Sequence, residues 1–137
     1  EAIAEYVAVS SVLTSLNLLG NQIGEEGAKA IGEALHVNGA LTSIGEGGLN
    51  LKGNPLGDEG WGAIISAVCA SEVSKISSID VSCESIGPAG AKVIGEALRT
   101  SVNGVLTELN LRWNHLGDGE AALREIAKGR PSLTLKL

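Results

Sequence analysis

The amino-acid sequence predicts an α/β solenoid, in which short parallel strands line the inside of a curve and helices cover its outside. The first observation is a motif, L-x-x-L-x-L-x-x-N-x-I-G, which begins at Leu13 and returns in altered form three more times. The second is that every copy passes from alternating apolar and polar residues, typical of strands, to apolar residues spaced three and four apart, typical of helices. The third is the repeat length, which is too short for one unit to bury its own apolar face, so the units must stack.

The strand of each unit is marked by two apolar columns that alternate with polar residues. The first column consists of Leu16, Leu49, Ile79 and Leu109. The second column consists of Leu18, Leu51, Val81 and Leu111. Both columns are expected to face the core. In the second unit the segment from Ile44 to Gly48 intervenes before the strand, and we interpret it as a glycine-rich bulge.

A helix is predicted after each strand, with acidic residues or a proline in its first turn, where the helix dipole favours them. The predicted core stripes are Ala28, Ile31 and Leu35, then Trp61, Ile64 and Val68, then Ala91, Ile94 and Leu98. Trp61 occupies a column that otherwise holds alanine, and we expect it to pack in the core. Because strands are narrower than helices, the stack should curve into a horseshoe segment.

The whole chain, 1–137, is predicted to be one domain, with a partial unit at 1–12 and units near 13–45, 46–75, 76–105 and 106–137. Residues 1–8 resemble the end of a helix, with Ile3 and Val7 facing the core. Leu123 and Ile126 form the stripe of the last helix. Residues 132–137 alternate and predict a final strand, whose open edge should contact another chain or continue into further residues.

An asparagine column follows the strands and consists of Asn21, Asn54 and Asn114, with Glu84 in the third unit. A side-chain amide at a strand end can donate to and accept from backbone groups of neighbouring turns. The asparagines are therefore predicted to be scaffold, whereas Glu84 should break the ladder locally or reach outward to water. The Val-Asn-Gly turns at 37–39 and 102–104 end two helices, and their glycines suit a positive φ.

The units LTSLNLLGNQIGEEGAKAIGEAL and LTELNLRWNHLGDGEAAL resemble the ribonuclease-inhibitor-like class of leucine-rich repeats. This class also occurs in cytosolic immune receptors and in a GTPase-activating protein of the nuclear-transport cycle. The resemblance implies a leucine-rich-repeat solenoid with a parallel sheet on the concave side and helices on the convex side. It also implies binding of a partner protein on the concave sheet. Glu84 and the insertion in unit two depart from the pattern.

Composition limits the possible partners and compartments. The formal net charge is −6, whereas binding to a nucleic-acid backbone requires a basic surface, so no nucleic-acid partner is predicted. No apolar run reaches the roughly 18 residues of a membrane span, so no membrane insertion is predicted. Cys69 and Cys83 fall in different columns and should lie apart as free thiols, which favours a reducing, cytoplasmic location, with an organelle left open.

No catalytic, metal or cofactor site is predicted. His36 and His115 lie in different units, and the histidines and cysteines lack the spacing of metal ligands. The glycine-rich segment 45–48 lacks the Lys-Ser/Thr of a phosphate loop. The chain is therefore predicted not to be an enzyme. A GTPase activator, acting through polar groups such as Arg112 on the rim, is a less favoured alternative. A structural subunit packed within a larger assembly is another.

The predicted binding face follows from strand alternation, which directs the residues between the core columns to the concave side. Trp113 stands out because its column otherwise holds the small residues Gly20, Gly53 and Cys83. Tryptophan and arginine are the residue types most enriched in binding hot spots. The predicted partner-binding residues are Trp113, Arg112, Asn110, Lys52, Asn50, Asp80 and Leu19.

Overall fold

A computed structural model describes residues 2–137 of the chain. The helices are α1 (Ala2–Val9), α2 (Glu25–Val37), α3 (Gly57–Ala70), α4 (Pro88–Arg99) and α5 (Gly119–Lys128). The strands are β1 (Leu16–Asn17), β2 (Ser43–Ile44), β3 (Leu49–Asn50), β4 (Ser78–Asp80), β5 (Glu108–Asn110) and β6 (Thr134–Lys136). The predicted α/β solenoid, with the parallel sheet on one side and a row of helices on the other, is confirmed.

The six strands form one parallel sheet in the order β1-β3-β2-β4-β5-β6. We count β2 and β3 as the two halves of the second unit's strand, although the predicted boundary near residue 45 lies between them. Ile44 pairs with Ile79 of β4, whereas Leu49 pairs with Leu16 of β1. The segment interpreted as a bulge therefore contains the end of a strand of its own, and only residues 45–48 form the connection between the halves. The reason is that Ile44 and Leu49 are both apolar and both fit the same core column.

The core consists of aliphatic side chains supplied by both layers. All three predicted helix stripes are buried, and Trp61 is 1% exposed. The stripe of α5 is also confirmed, with Leu123 buried and Ile126 partly buried. The prediction for α1 is wrong at Ile3, which is 50% exposed. Val7 is buried as predicted, and Ala4 is buried in place of Ile3, because Ala4 and Val7 lie three residues apart on the helix face that packs against α2.

Two asparagines at the ends of connecting turns tie neighbouring units together. The Nδ2 atom of Asn38 donates to two backbone carbonyls of the preceding unit at 2.6 and 3.0 Å. The Nδ2 atom of Asn103 donates to two carbonyls of unit two at 3.0 and 3.2 Å. The left-handed backbone expected at Gly39 and Gly104 is wrong, since neither has a positive φ. The asparagine, rather than the glycine, is the structural residue of the Val-Asn-Gly turn.

The predicted final strand is confirmed as β6, which pairs with β5 through Thr134, Leu135 and Lys136. Lys136 Nζ lies 3.1 Å from Glu108 Oε2 on the neighbouring strand. Within residues 2–137, no helix combines the length and apolarity that crossing a membrane requires.

Candidate functional site

After each strand the chain turns toward its helix through a residue with a left-handed backbone. We call these four residues the turn column. They are Gly20 (φ 65°), Gly53 (φ 73°), Cys83 (φ 59°) and Trp113 (φ 64°). Glycine adopts this conformation without strain, whereas a residue with a Cβ atom is disfavoured there by about 1 kcal/mol. The glycines in this column therefore reflect backbone geometry, whereas Cys83 and Trp113 are present despite it.

Each turn is held by a side chain from the end of the preceding strand. The Oδ1 atoms of this central column accept a hydrogen bond from the backbone N–H two residues later, at 2.9–3.1 Å. The four residues are Asn17, Asn50, Asp80 and Asn110. Three of them are among the predicted partner-binding residues, and the structure gives all four a role in shaping the turn.

The asparagine ladder fixes the same turns from the core side. Asn114 Nδ2 donates to the carbonyls of Val81 (2.9 Å) and Leu111 (2.8 Å). Asn54 makes the equivalent bonds between units one and two, so the scaffold role predicted for both is confirmed. Asn21, in the first unit, is exposed and its side chain donates within its own turn, to Leu19 O at 3.2 Å.

Trp113 and Arg112 project into solvent from this fixed turn. Trp113 is 78% exposed, although it is one of only two tryptophans in the chain. The Arg112 Nε atom donates to Asn110 Oδ1 at 3.2 Å, which orients the guanidinium group. In the part of the chain that the structure describes, Arg112 forms no ion pair with a carboxylate. The pair therefore offers an apolar ring and an uncompensated positive charge side by side.

Leu19 is the other exposed apolar side chain of the predicted face. It is 54% exposed, and a Cβ atom placed on Gly53 would lie 3.8 Å from its Cδ1 atom. Leu19 thus lies over the turn column of the next unit. It belongs to the first unit, whereas Trp113 belongs to the fourth. The residue Gly48, which alternation directs to the concave side, is buried, because Ser43 of β2 covers it.

Lys52 is held by residues of unit three. Its Nζ atom donates to the backbone carbonyl and to the Oγ atom of Ser82, the latter at 3.0 Å. It also lies 3.4 Å from Asp80 Oδ1 and 3.6 Å from Glu84 Oε2. The sequence predicts that Lys52 and Asp80 face a partner, and the structure places both in this internal network.

The carboxylate of Glu84 points inward. Its side chain is 6% exposed, and Oε1 accepts a hydrogen bond from the Trp61 indole N–H at 3.2 Å. The expectation that Glu84 reaches water is wrong. The expected break in the ladder is confirmed, since Glu84 bonds to side chains where Asn54 and Asn114 bond to backbone. We call Lys52, Trp61, Asp80, Ser82 and Glu84 the junction cluster.

Burial and hydrogen bonding shift two acids of the junction cluster in opposite directions. Burial raises the pKa of Glu84, and the indole of Trp61 and the charge of Lys52 offset this only in part. Burial also acts to raise the pKa of Asp80, but hydrogen bonds from Ser82 and the charge of Lys52 outweigh it, so this pKa is lowered. The sequence identifies Trp61 and Glu84 as departures from the repeat but does not show that they touch.

No metal-binding geometry is present among the described residues. Within 2–137, no three His, Cys, Asp or Glu side chains group together in a way that could hold a metal ion. Cys69 is buried and Cys83 is exposed, and both are free thiols.

Comparison with known proteins supports the fold. The family model described as "Leucine Rich repeat" matches residues 9–32, 49–64 and 102–119. Fifty chains of solved structures match, among them "Leiomodin-1 Actin-Binding Site 2 (ABS2)", with 21% sequence identity and a TM-score of 0.76. That match covers 97% of this chain and 75% of the other. No curated protein matches the sequence. The fold is that of a leucine-rich-repeat solenoid.

Proposed function

We propose that this chain is a protein-interaction module that binds a partner protein on the concave side, centred on Trp113 and Arg112. The observation that supports this most is the exposure of Trp113 (78%) at a position where the backbone favours glycine. Trp113 contributes nothing to the core, and its backbone conformation is strained. Coverage by a partner protein would explain why such a large apolar side chain is present there.

The surroundings of Trp113 suit it to binding. The turn is tied down by Asn110 on one side and Asn114 on the other, so the indole is carried on an ordered backbone. A preordered side chain loses little conformational entropy when a partner covers it. The neighbouring guanidinium of Arg112 can donate two parallel hydrogen bonds to a carboxylate. Asn50, Lys52, Asp80 and Leu19 complete the proposed surface, with the first three also holding the scaffold.

Actin is the first partner to test, because the similar leiomodin-1 domain is titled an actin-binding site. Isothermal titration of the chain with actin monomers would measure the affinity directly. Trp113→Gly is the preferred variant, since it removes the ring and also relieves the turn. We expect it to weaken binding by about 2 kcal/mol or more, roughly 30-fold.

Tyr6 provides the matched control, since it is another exposed aromatic (58%) but lies on α1 at the opposite end of the solenoid. Tyr6→Ala should leave the affinity unchanged. If actin does not bind, the same two variants should be compared for proteins captured from the source cells. The proposal is wrong if every captured protein binds Trp113→Gly as tightly as the original chain.

A structural subunit of a larger assembly is the second candidate, and exposed apolar residues near the first helix favour it. Ile3 (50%), Val9 (80%) and Val12 (80%) are exposed there. We also propose that residues 132–137 contact another chain through the edge of β6. Light scattering tests both points: a monomer at high concentration, with fast amide exchange across 132–137, would count against this candidate.

We further propose that the chain is not an enzyme, that it belongs to the ribonuclease-inhibitor-like class of leucine-rich repeats, and that it works in the cytoplasm. The exposed thiol of Cys83 favours a reducing compartment. A GTPase activator would use the same rim, where Arg112 is unpaired within the described chain. We expect no stimulation of GTP hydrolysis by small GTPases, and a rate increase abolished by Arg112→Ala would overturn this.

A further inference from the structure

Two of the junctions between units are held by backbone hydrogen bonds along the strands. Between units one and two, the N–H groups of Leu16, Leu18 and Gly20 donate to unit two at 2.9–3.0 Å. Between units three and four, Val81 N–H donates to Asn110 (2.8 Å) and Cys83 N–H to Arg112 (3.1 Å). In both cases an asparagine of the ladder closes the row beyond the strand.

The junction between units two and three is built differently because the strand of unit two is split. The half β3 pairs with β1, and the half β2 pairs with β4. The halves are joined to each other by one residue pair, Ile44 and Leu49, and by the hydrogen bond from Gly45 N–H to Leu49 O at 2.8 Å. Their covalent link contains Gly45 (φ 141°) and Gly47 (φ 90°), conformations that only glycine adopts freely.

Beyond the split strand, side chains take over the connection. The ammonium group of Lys52, in unit two, binds Ser82, Asp80 and Glu84 of unit three. Trp61, on the helix of unit two, binds Glu84 from the core side. The strand ends of the two units are therefore connected by the junction cluster, in which burial raises the pKa of Glu84.

The helix side of the same junction is closely packed. A Cβ atom placed on Gly62 of α3 would lie 2.9 Å from Val93 Cγ1 of α4, so the two helices approach at a glycine. A separation of units two and three would consequently open on the strand side and turn about the helix contact. Opening would expose the charges of Lys52 and Glu84 to water again, and their hydration lowers the free-energy cost of opening.

We propose that the junction between units two and three is a joint that divides the solenoid into two blocks. The first block contains α1, β1, α2, β3 and α3, and the second contains β2, β4, α4, β5, α5 and β6. Along the chain, residues 38–42, 45–48 and 71–77 cross the boundary, and the junction cluster bridges it at the strand ends. On the helix side, the hydrogen bonds from Gly87 N–H to Asp58 and from Asn103 to Ser71 and Ser74 also cross it, next to the contact about which the blocks turn. Since Leu19 lies in the first block and Trp113 in the second, movement at the joint changes the distance between the two exposed apolar side chains of the concave side.

Hydrogen exchange of single amides, followed by NMR on the complete chain at pH 7, tests the joint. The reporter is Gly45 N–H, which bonds across the boundary, and the references are Val81 and Cys83 N–H, which bond within the second block. After correction for intrinsic rates, we expect Gly45 to exchange about 10-fold faster than either reference, since it opens without unfolding of a block. Equal protection of the three amides would overturn the proposal.

Two substitutions in the junction cluster should move the reporter in opposite directions. Lys52→Met removes the cation between Asp80 and Glu84, and should speed Gly45 exchange about 10-fold. Glu84→Gln removes the buried charge while its amide oxygen still accepts from Trp61, and should slow Gly45 exchange several-fold. In both cases Gly45 must change more than Val81, because a uniform change reports global stability.

Glu108→Gln is the matched control, since it breaks a comparable cross-strand pair, with Lys136, away from the boundary. It should leave the ratio of Gly45 to Val81 exchange unaltered. If Lys52→Met does not fold, the test rests on Glu84→Gln alone. An unchanged ratio of Gly45 to Val81 exchange in that variant would overturn the proposed joint. Neither outcome depends on partner binding.

Discussion

At the junction between units three and four, one asparagine side chain makes five hydrogen bonds, whereas between units two and three the same column holds a glutamate. Asn114 donates to three carbonyls and accepts from the N–H groups of Glu84 (3.1 Å) and Ile86 (2.8 Å). An ionised carboxylate only accepts hydrogen bonds, so Glu84 cannot donate to carbonyls as Asn114 does. Instead, Trp61 donates a hydrogen bond to Glu84, and the ammonium group of Lys52 forms an ion pair with it at 3.6 Å.

This contrast indicates that each junction keeps its hydrogen-bond donors and acceptors paired, even where the residue type in the ladder column changes. Where the ladder residue loses its donors, the neighbouring unit supplies them from side chains that depart from the repeat themselves. Trp61 occupies an alanine column, and Lys52 occupies a column that also holds Leu19 and Ser82. The changes at Trp61, Lys52 and Glu84 therefore form one linked substitution and should behave as one when mutated.

The largest effect is expected from Trp61→Ala. It should lower the free energy of unfolding by about 3–5 kcal/mol, because the ring is 1% exposed and its loss also removes a donor to Glu84. Urea denaturation measures this. The double variant with Glu84→Gln should cost less than the sum of the single changes. A loss below about 1 kcal/mol would contradict the core role of Trp61.

Asn114→Asp should have the next largest effect on stability. It removes only the hydrogen-bond donors of the ladder residue between units three and four. The aspartate has the same shape but cannot donate to the carbonyls of Val81 and Leu111, so the free energy of unfolding should fall by about 2 kcal/mol. Asn21→Asp, at the exposed first copy, serves as the control and should change stability by less than about 0.5 kcal/mol. Denaturant titration of both variants measures the two losses. Equal effects at both positions would remove the distinction between bridging and end copies of the ladder.

Glu84→Gln should have a smaller and pH-dependent effect. A carboxyl group whose folded pKa is raised stabilises the fold below its unfolded pKa, and this contribution is lost as pH rises through the folded pKa. The original chain should therefore lose stability relative to Glu84→Gln as pH rises from the ordinary value of 4.5 toward 7. Asp80, with a lowered pKa, acts in the opposite sense at lower pH. Thermal melts of both proteins from pH 4.5 to 7 would show parallel curves if Glu84 were unperturbed.

The smallest effect concerns the backbone at Trp113. Trp113→Gly should be more stable than Trp113→Ala by about 0.5–1 kcal/mol, since alanine retains the strain of a positive φ and glycine does not. Chemical denaturation of the two variants measures the difference. The same pair at an ordinary helical position would differ in the reverse direction. A more stable alanine variant would mean that the turn relaxes once the indole is removed.

The repeats in the sequence predict those structural features that most units share. The core columns, the helix stripes and the ladder role of Asn54 and Asn114 follow from periodicity, because most copies repeat the same contacts. Trp113 could be singled out because it breaks a column of small residues. The glycines of that column, Gly20 and Gly53, also carry the signal for a left-handed backbone, which small size alone does not convey.

Features produced by one irregular unit could not be predicted in the same way. The strand β2 has two residues, too few for a period, and Ile44 competes with Leu49 for one column. The bond between Trp61 and Glu84 joins two departures in neighbouring units, and no other copy provides an example of it. At the first helix, only one turn separates Ile3 from Val7, so the phase of the core face is weakly defined.

The turn column has a consequence for protein engineering. Its four residues lie at successive steps along the solenoid, outside the core, in a backbone conformation set by the strand-end turns rather than by their own side chains. A Cβ atom placed on Gly20 would have no heavy atom within 4 Å, so a side chain introduced there would meet open solvent. The column is thus a row of attachment points, at which recognition groups can be exchanged or moved from one unit to another while the folded scaffold keeps its sequence.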